Sequence, residues 1–331
     1  MRCVAEFELA YAAVIMLALL LVAAIVPLAS MLARFFVRVP WRRLVRFVNR
    51  SPNALAKRLG ITLPELENFM PSYRAVEIPK RSGGTRTLQI PDDATKKLQR
   101  LILRRILRNL RSHPAAHAYE RGRSIVTNAR HHAGQQYVLK FDLEDFFPST
   151  SEHRVERYFR RIGWSRKAAK ILTRLTVHEE GLPQGAPTSP RLSNLLNFKL
   201  DAALQHRAHR WDATYTRYAD DITISVTIRK NRFRSRILMS LRQTAFRAAH
   251  AAGYKVHRSP RKLHVLQQHH RQTVTGLVVN RKVQLSRKQR RLLRAAEHRL
   301  KTGKPTTLTP AQIQGWRALQ SMIDKQRDNP A

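Results

Sequence analysis

Two adjacent carboxylates, Asp220 and Asp221, restrict what this chain can fold into more than any other feature. They sit in Tyr218-Ala219-Asp220-Asp221, between the alternating runs Thr214-Tyr215-Thr216-Arg217 and Ile222-Thr223-Ile224-Ser225-Val226. Alternation on both sides of a short acidic interruption predicts a β-hairpin with the acids at its tip. Neighbouring carboxylates repel, so an ordinary surface turn gains little from the pair unless a cation neutralises it. Asp-Asp is also turn-prone, and alone it reads equally well as a solvated turn. Its context argues otherwise. A second cluster, Asp142-Leu143-Glu144-Asp145, follows an expected strand, Gln136 to Asp142, where Tyr137, Leu139 and Phe141 alternate with Val138 and Lys140. An aromatic pair, Phe146-Phe147, comes next.

Acids are scarce here: 22 Asp+Glu stand against 62 Lys+Arg, a formal net charge of +40. Such an excess opposes compaction by self-repulsion and calls for a polyanionic partner. Nucleic acid leads, with an anionic membrane surface second; a merely soluble surface needs only a small net charge. Two acidic strand ends converging in one sheet would hold two Mg²⁺ ions, able to activate an attacking 3′-hydroxyl and stabilise a leaving pyrophosphate. The length, 331 residues with 43% hydrophobic, suits one multi-lobed enzyme or two to three subdomains. Cys3 is the single cysteine, which excludes a disulfide framework and a thiolate zinc site. His131-His132 and His269-His270 lack metal-cluster spacing and read as basic-surface residues.

Leu9 to Ala33 carries no formal charge, and arginines follow at 34, 38, 42, 43 and 46. The stretch is long enough to cross a bilayer, and the basic flank would keep the body cytoplasmic at the inner membrane. A signal peptide fits poorly, because the positive flank is on the wrong side. A true start downstream, for instance at Met31, is the remaining reading.

Further along, Trp41 to Met70 reads as basic and helical with a stop at Leu63-Pro64, and Tyr73 to Pro91 as two strands around Ser82-Gly83-Gly84. Helices are expected over 94–111, 152–162, 167–177, 189–210 and 232–252, with a strand over 274–280. Ser286 should cap a helix to Lys301, and Thr309-Pro310 should open the last one. No internal repeat or low-complexity tract is visible.

At this point the residues resemble reverse transcriptases. Tyr218-Ala219-Asp220-Asp221 matches that family's catalytic hairpin, and Phe141 to Ser149 looks like the motif holding its other catalytic aspartate. Between them, Gly181-Leu182-Pro183-Gln184-Gly185-Ala186-Pro187 is similar to the loop that packs on nucleotide and template. All three motifs stand in the family's order and spacing. Asn128-Ala129-Arg130-His131-His132 and Val274-Thr275-Gly276 fit signatures of the retron branch. The chain departs from the pattern at Ala118-Tyr119, where Phe is more usual, and at His257-Arg258-Ser259-Pro260-Arg261-Lys262, where Asn-x-x-Lys is.

The resemblance implies an α+β right hand of fingers, palm and thumb, following an N-terminal apolar helix. The expected divisions are 1–33 as a possible transmembrane anchor, 34–72 as a basic helical region, 73–136 as fingers, 137–270 as palm and 271–331 as thumb. Asp142, Asp220 and Asp221 would be catalytic and metal-binding, with the Leu143 carbonyl as a further ligand. Lys80, Arg81 and Arg86 would clasp the triphosphate, a task that suits cations because charge moves onto the leaving phosphates. Phe147 would stack under the deoxyribose, while Gln184 and Gly185 touch nucleotide and template. Asn128, His132, Val274, Thr275 and Gly276 would recognise RNA. Basic helices around Arg100 to Arg108, Arg232 to Arg242 and Arg287 to Arg294 would track backbone, although such charge runs are often simply solvated.

The implied activity is RNA-directed DNA synthesis using dNTPs. Part of a structured noncoding RNA would be copied into single-stranded DNA joined to RNA through a 2′-5′ bond, in defence against phage with a neighbouring effector. Another group II-like bacterial reverse transcriptase, a catalytically silent RNA-binding relative and a membrane toxin with a polymerase body as sensor are the competing readings.

Overall fold

Ser51 and Thr62 start the first two helices. In this computed structural model, which describes residues 49–80, 83–228, 233–257 and 264–328, Ser51 caps α1 (Pro52–Leu59) and Gly60 ends it at φ 67°. Thr62 and Glu65 form a reciprocal capping box on α2 (Leu63–Asn68). Leu63-Pro64, expected as a stop, is therefore a start, since proline fits a first turn whose N–H groups have no helical partner. The apolar stretch, the arginines up to Arg46, Arg81, Arg232 and the 258–262 segment lie outside the described residues. Among the described residues no helix is long and apolar enough to cross a membrane.

The hairpin β1 (Tyr73–Pro79) and β2 (Thr85–Pro91) pairs in register from Tyr73↔Pro91 to Pro79↔Thr85. Asp92 caps α3 (Asp93–Ile102), which continues as a π-helical turn over Leu103–Leu107. The helix stops short of the expected Arg111 because Arg191 takes the terminal carbonyls of Leu107 and Leu110, groups that a helix end leaves without partners.

Beyond α4 (Ile125–Arg130) the chain enters β3 (Tyr137–Asp142), the expected strand. Next come α5 (Glu152–Arg161), α6 (Arg166–Thr176), α7 (Ser189–Leu196) and α8 (Phe198–His209). The single helix expected over 189–210 breaks at Asn197. There the side-chain amide donates to the Ser193 carbonyl and the Tyr254 hydroxyl, while Oδ1 accepts from Arg154 at 2.8 Å.

Strands β4 (Thr214–Tyr218) and β5 (Asp221–Val226), helix α9 (Arg234–Ala251) and β6 (His264–Gln267) complete the central unit. Its sheet is four-stranded and antiparallel, in the order β4-β5-β3-β6. The alternation in β3 serves both faces. Tyr137, Leu139 and Phe141 join a core with Leu200 and Leu204 of α8 and Leu241 and Ala245 of α9. Val138 points to the other face, among Val126, Ala129, Val274 and Ile323. A separate core gathers Leu55 and Leu59 of α1, Leu98 and Ile102 of α3, Phe159 of α5 and Leu172 of α6.

The strand expected over 274–280 is instead a tight hairpin, β7 (Thr273–Val274) and β8 (Leu277–Val278). It folds back at Thr275 and Gly276, with φ 46° and 83°, the positive-φ pair that a two-residue hairpin turn requires. Helices α10 (Arg287–Lys301) and α11 (Pro310–Asp328) follow where Ser286 and Thr309 are expected to cap them.

Candidate active site

The sheet register brings the three aspartates to one edge. Asp142 closes β3 directly opposite Asp221 of β5. Tyr218 pairs with Asp221, so Ala219 and Asp220 form the turn. The Leu143 N–H donates to the Asp220 carbonyl at 3.2 Å, tying the turn to the end of β3. Ala219 sits in the left-handed region at φ 57°, a strained state that persists only where its surroundings hold it.

Arg217 does the holding. Fully buried, it donates from Nη1 to the Ala219 carbonyl at 3.0 Å. Its Nε and Nη2 each meet a different oxygen of buried Asp201 at 2.7 Å. Asn194 Oδ1 accepts at 3.2 Å and the Tyr215 hydroxyl donates to Asp201 at 2.7 Å. Burial, then the Asp201 charge, pushes the Tyr215 phenol well up, so it stays protonated and donating. Nothing in the sequence marked this network, because Arg217 and Asp201 look like two more surface charges. His257 is a second addition: its N–H donates to the Asp142 carbonyl, and its ring stands 3.7 Å from the Asp142 carboxylate and 3.2 Å from Glu144.

Among the described residues no three His, Cys, Asp or Glu side chains already form a metal cage. Mg²⁺ needs none, since it keeps several waters and takes one or two carboxylates with substrate phosphates. An Asp142–Asp221 cross-strand pair with Asp220 beside it fits that demand.

Phe147 is half-buried, touching both the sheet core and the helical core. Its carbonyl accepts from Leu182 N–H, and Gln184 at the other end of that loop accepts from Gln89 N–H of β2 at 2.8 Å. The Gly181-to-Gly185 loop thus bridges the β1–β2 hairpin and the aspartate edge. Both glycines are needed for close approach. A Cβ on Gly181 would lie 2.1 Å from the Pro148 carbonyl oxygen, and one on Gly185, at φ 134°, would lie 2.8 Å from that of Gln89. Lys80 and Arg86 are exposed on the hairpin, and the arginines of α3, α9 and α10 face outward.

The residues expected to recognise RNA are placed differently. His132 is fully buried, its ring nitrogens 2.7 Å from Ser225 Oγ and 2.7 Å from Thr216 Oγ1. Burial pushes its pKa down to about 3. The basic-surface reading of His132 is therefore corrected: it is a neutral pin between α4 and the sheet. Asn128 and Val274 are buried too. Thr275 Oγ1 donates to the Ile125 carbonyl at 2.9 Å, and Gly276 is exposed at the hairpin tip.

Residues 78–279 match the family described as reverse transcriptase (RNA-dependent DNA polymerase). The retron Mx162 reverse transcriptase of Myxococcus xanthus is 36% identical over 312 residues, 83% of this chain and 64% of that protein. The chain thus spans just under two thirds of that relative's length. The retron Mx65 reverse transcriptase of the same organism is 34% identical over 307 residues, 84% of this chain and 69% of that protein. The retron Ec86 reverse transcriptase of Escherichia coli is 33% identical over 255 residues, 76% of this chain and 77% of that protein. Among solved structures, a Candida albicans telomerase aligns at TM-score 0.47 and 12% identity, over 72% of this chain and 51% of that one, too loosely to add to the assignment.

Proposed function

The chain belongs to the reverse transcriptase (RNA-dependent DNA polymerase) family, in its retron branch, and on that premise we propose that it copies part of a structured noncoding RNA into single-stranded DNA. The observation that carries the reading is the register that sets Asp142 opposite Asp221, with Asp220 in the adjoining turn. These carboxylates, with the Leu143 carbonyl, would hold two Mg²⁺ ions. When bound, the ions supply activation of the primer hydroxyl and charge stabilisation on the leaving pyrophosphate. Arg217 and Asp201 keep the acidic turn in place. Phe147 walls the sugar and excludes a 2′-hydroxyl, while the Gln184-Gly185 backbone sets the distance from the hairpin to the nucleotide. Lys80, Arg81 and Arg86 meet the triphosphate.

The retron membership supports two further parts of this proposal: priming from a guanosine 2′-hydroxyl, giving a 2′-5′ RNA–DNA junction, and service in defence against phage. His132 supports RNA recognition indirectly, by pinning the end of α4, which carries buried Asn128, to Ser225 and Thr216 of the sheet, while Thr275 ties the β7–β8 hairpin, with its exposed Gly276 tip, to the same helix through the Ile125 carbonyl. The test is to purify the chain with RNA transcribed from beside its gene, supply labelled dNTPs, and sequence the product. A DNA whose RNA end is released by a 2′-5′ debranching enzyme is expected; DNA extended solely from 3′ ends would overturn the retron reading.

A further inference from the structure

Tyr119 stands out from the core aromatics by being 49% exposed. Its backbone is also strained, at φ 61°. Strain at an exposed aromatic persists only where neighbouring groups enforce it, and here the enforcing contacts flank it on both sides. The Ala118 carbonyl accepts from Asn194 Nδ2 at 2.7 Å. Glu120 receives Arg191 Nη1 at 2.7 and 2.6 Å and Asn194 Nδ2 at 2.9 Å. Upstream, Arg217 N–H donates to the Ala115 carbonyl at 2.8 Å, and His117 N–H to the Arg217 carbonyl at 2.8 Å. Arg217 also donates to the Ala219 carbonyl and to Asn194 Oδ1, so Tyr119 and the acidic turn share one scaffold.

The Tyr119 ring faces Phe147, with centroids 6.3 Å apart and planes tilted by 47°. Tilted rings at that spacing are within aromatic contact range, and Phe147 is the more buried of the two. The phenol is pushed up by partial burial, then by the negative charge of Asp220 and by Tyr218, with Arg86 opposing. Its tip therefore lies in the field of both the acidic turn and a cation of the β1–β2 hairpin.

We propose that Tyr119 is a specificity-determining residue for the incoming deoxynucleoside triphosphate, its ring walling the sugar slot opposite Phe147 and its hydroxyl hydrogen-bonding the sugar 3′-hydroxyl. The inference rests on the reading that Phe147 walls the sugar and the aspartates polymerise. The Tyr119 hydroxyl supplies what an aliphatic or phenyl wall lacks, a contact that a sugar without its 3′-oxygen cannot make.

The test is single-nucleotide incorporation with dNTP, 2′,3′-dideoxy-NTP and NTP by wild-type, Tyr119→Phe, Tyr119→Ala and Phe147→Val proteins of matched melting temperature. Tyr119→Phe should raise KM for dNTP about fivefold, the worth of one hydrogen bond, with kcat near wild-type. Its KM for dideoxynucleotide should not move, so discrimination between the two narrows by the same factor. Tyr119→Ala should raise KM for both. Unchanged KM values in both Tyr119 variants, or an equal rise for dNTP and dideoxynucleotide in Tyr119→Phe, overturn the inference. Ribonucleotide entry in Phe147→Val keeps the sugar-gate reading standing in either case; continued exclusion overturns that reading itself.

Discussion

Asp142 and Asp221 are cross-strand partners at the end of the β3–β5 ladder. Facing residues in an antiparallel pair present their side chains on the same side of the sheet, about 5 Å apart at Cβ. A slip of one residue would send one carboxylate to the opposite face. Burial of Leu139 on one face and Val138 on the other resists that slip, so the packing of β3 fixes the site's geometry.

The Arg217–Asp201 pair gives the first prediction. Asp201→Asn leaves the Arg217 charge buried without its counter-ion, at a cost of about 3–5 kcal/mol. Urea unfolding should show that loss. Replacing both partners by apolar residues, as in Arg217→Met with Asp201→Leu, should recover much of the stability. DNA synthesis should stay impaired in the double variant, because the Ala219 carbonyl still lacks its donor. Full synthesis there would show that Arg217 contributes to folding alone.

Gly185 gives the second. In Gly185→Ala the new Cβ meets the Gln89 carbonyl at 2.8 Å in a conformation that L residues rarely adopt. The β1–β2 hairpin must shift away from the aspartate edge. Misplacement of that size costs on the order of 10- to 100-fold in synthesis, and RNA retention in a pull-down should be unaffected. Wild-type incorporation kinetics would contradict the proposed bridging role of the loop.

A pH dependence follows from His132. The unfolded chain takes a proton on this residue below about 6.5, whereas the folded chain keeps the ring neutral down to about 3. Its contribution to stability is therefore complete above about 6.5 and is lost as pH falls toward 3. The slope is at most about 1.4 kcal/mol per pH unit for each such histidine. His117, pushed down to about 3 by burial and then by Arg123, acts in the same direction. Unfolding midpoints from pH 7 to pH 4 should fall less steeply in His132→Gln than in wild-type. Parallel slopes would mean that His132 is not held neutral.

The acidic hairpin, the β3 alternation, the β1–β2 pair and the caps at Ser286 and Thr309 were legible in the sequence, because each rests on local period or turn chemistry. Partners supplied from far along the chain were not. Arg217 finds Asp201 across a helix-to-strand connection, and His132 finds Thr216 and Ser225 on strands more than 80 positions away. Helix ends failed for the same reason: Asn197 breaks a continuous helical pattern through a contact with Tyr254, and Arg191 ends α3's extension from 81 positions beyond Leu110. Tyr119 carried a local signal, a departure from the family pattern, whose geometry became visible only with Phe147 and Asn194 beside it.

The most direct measurement is primer extension on an RNA template by the purified chain and its Asp220→Asn and Asp221→Asn variants, with RNA binding measured in parallel. The expected result is Mg²⁺-dependent DNA synthesis by wild-type, none detectable in either variant, and equal RNA binding by all three. Synthesis near the wild-type rate in either variant would contradict the assignment of the paired carboxylates as the catalytic metal ligands.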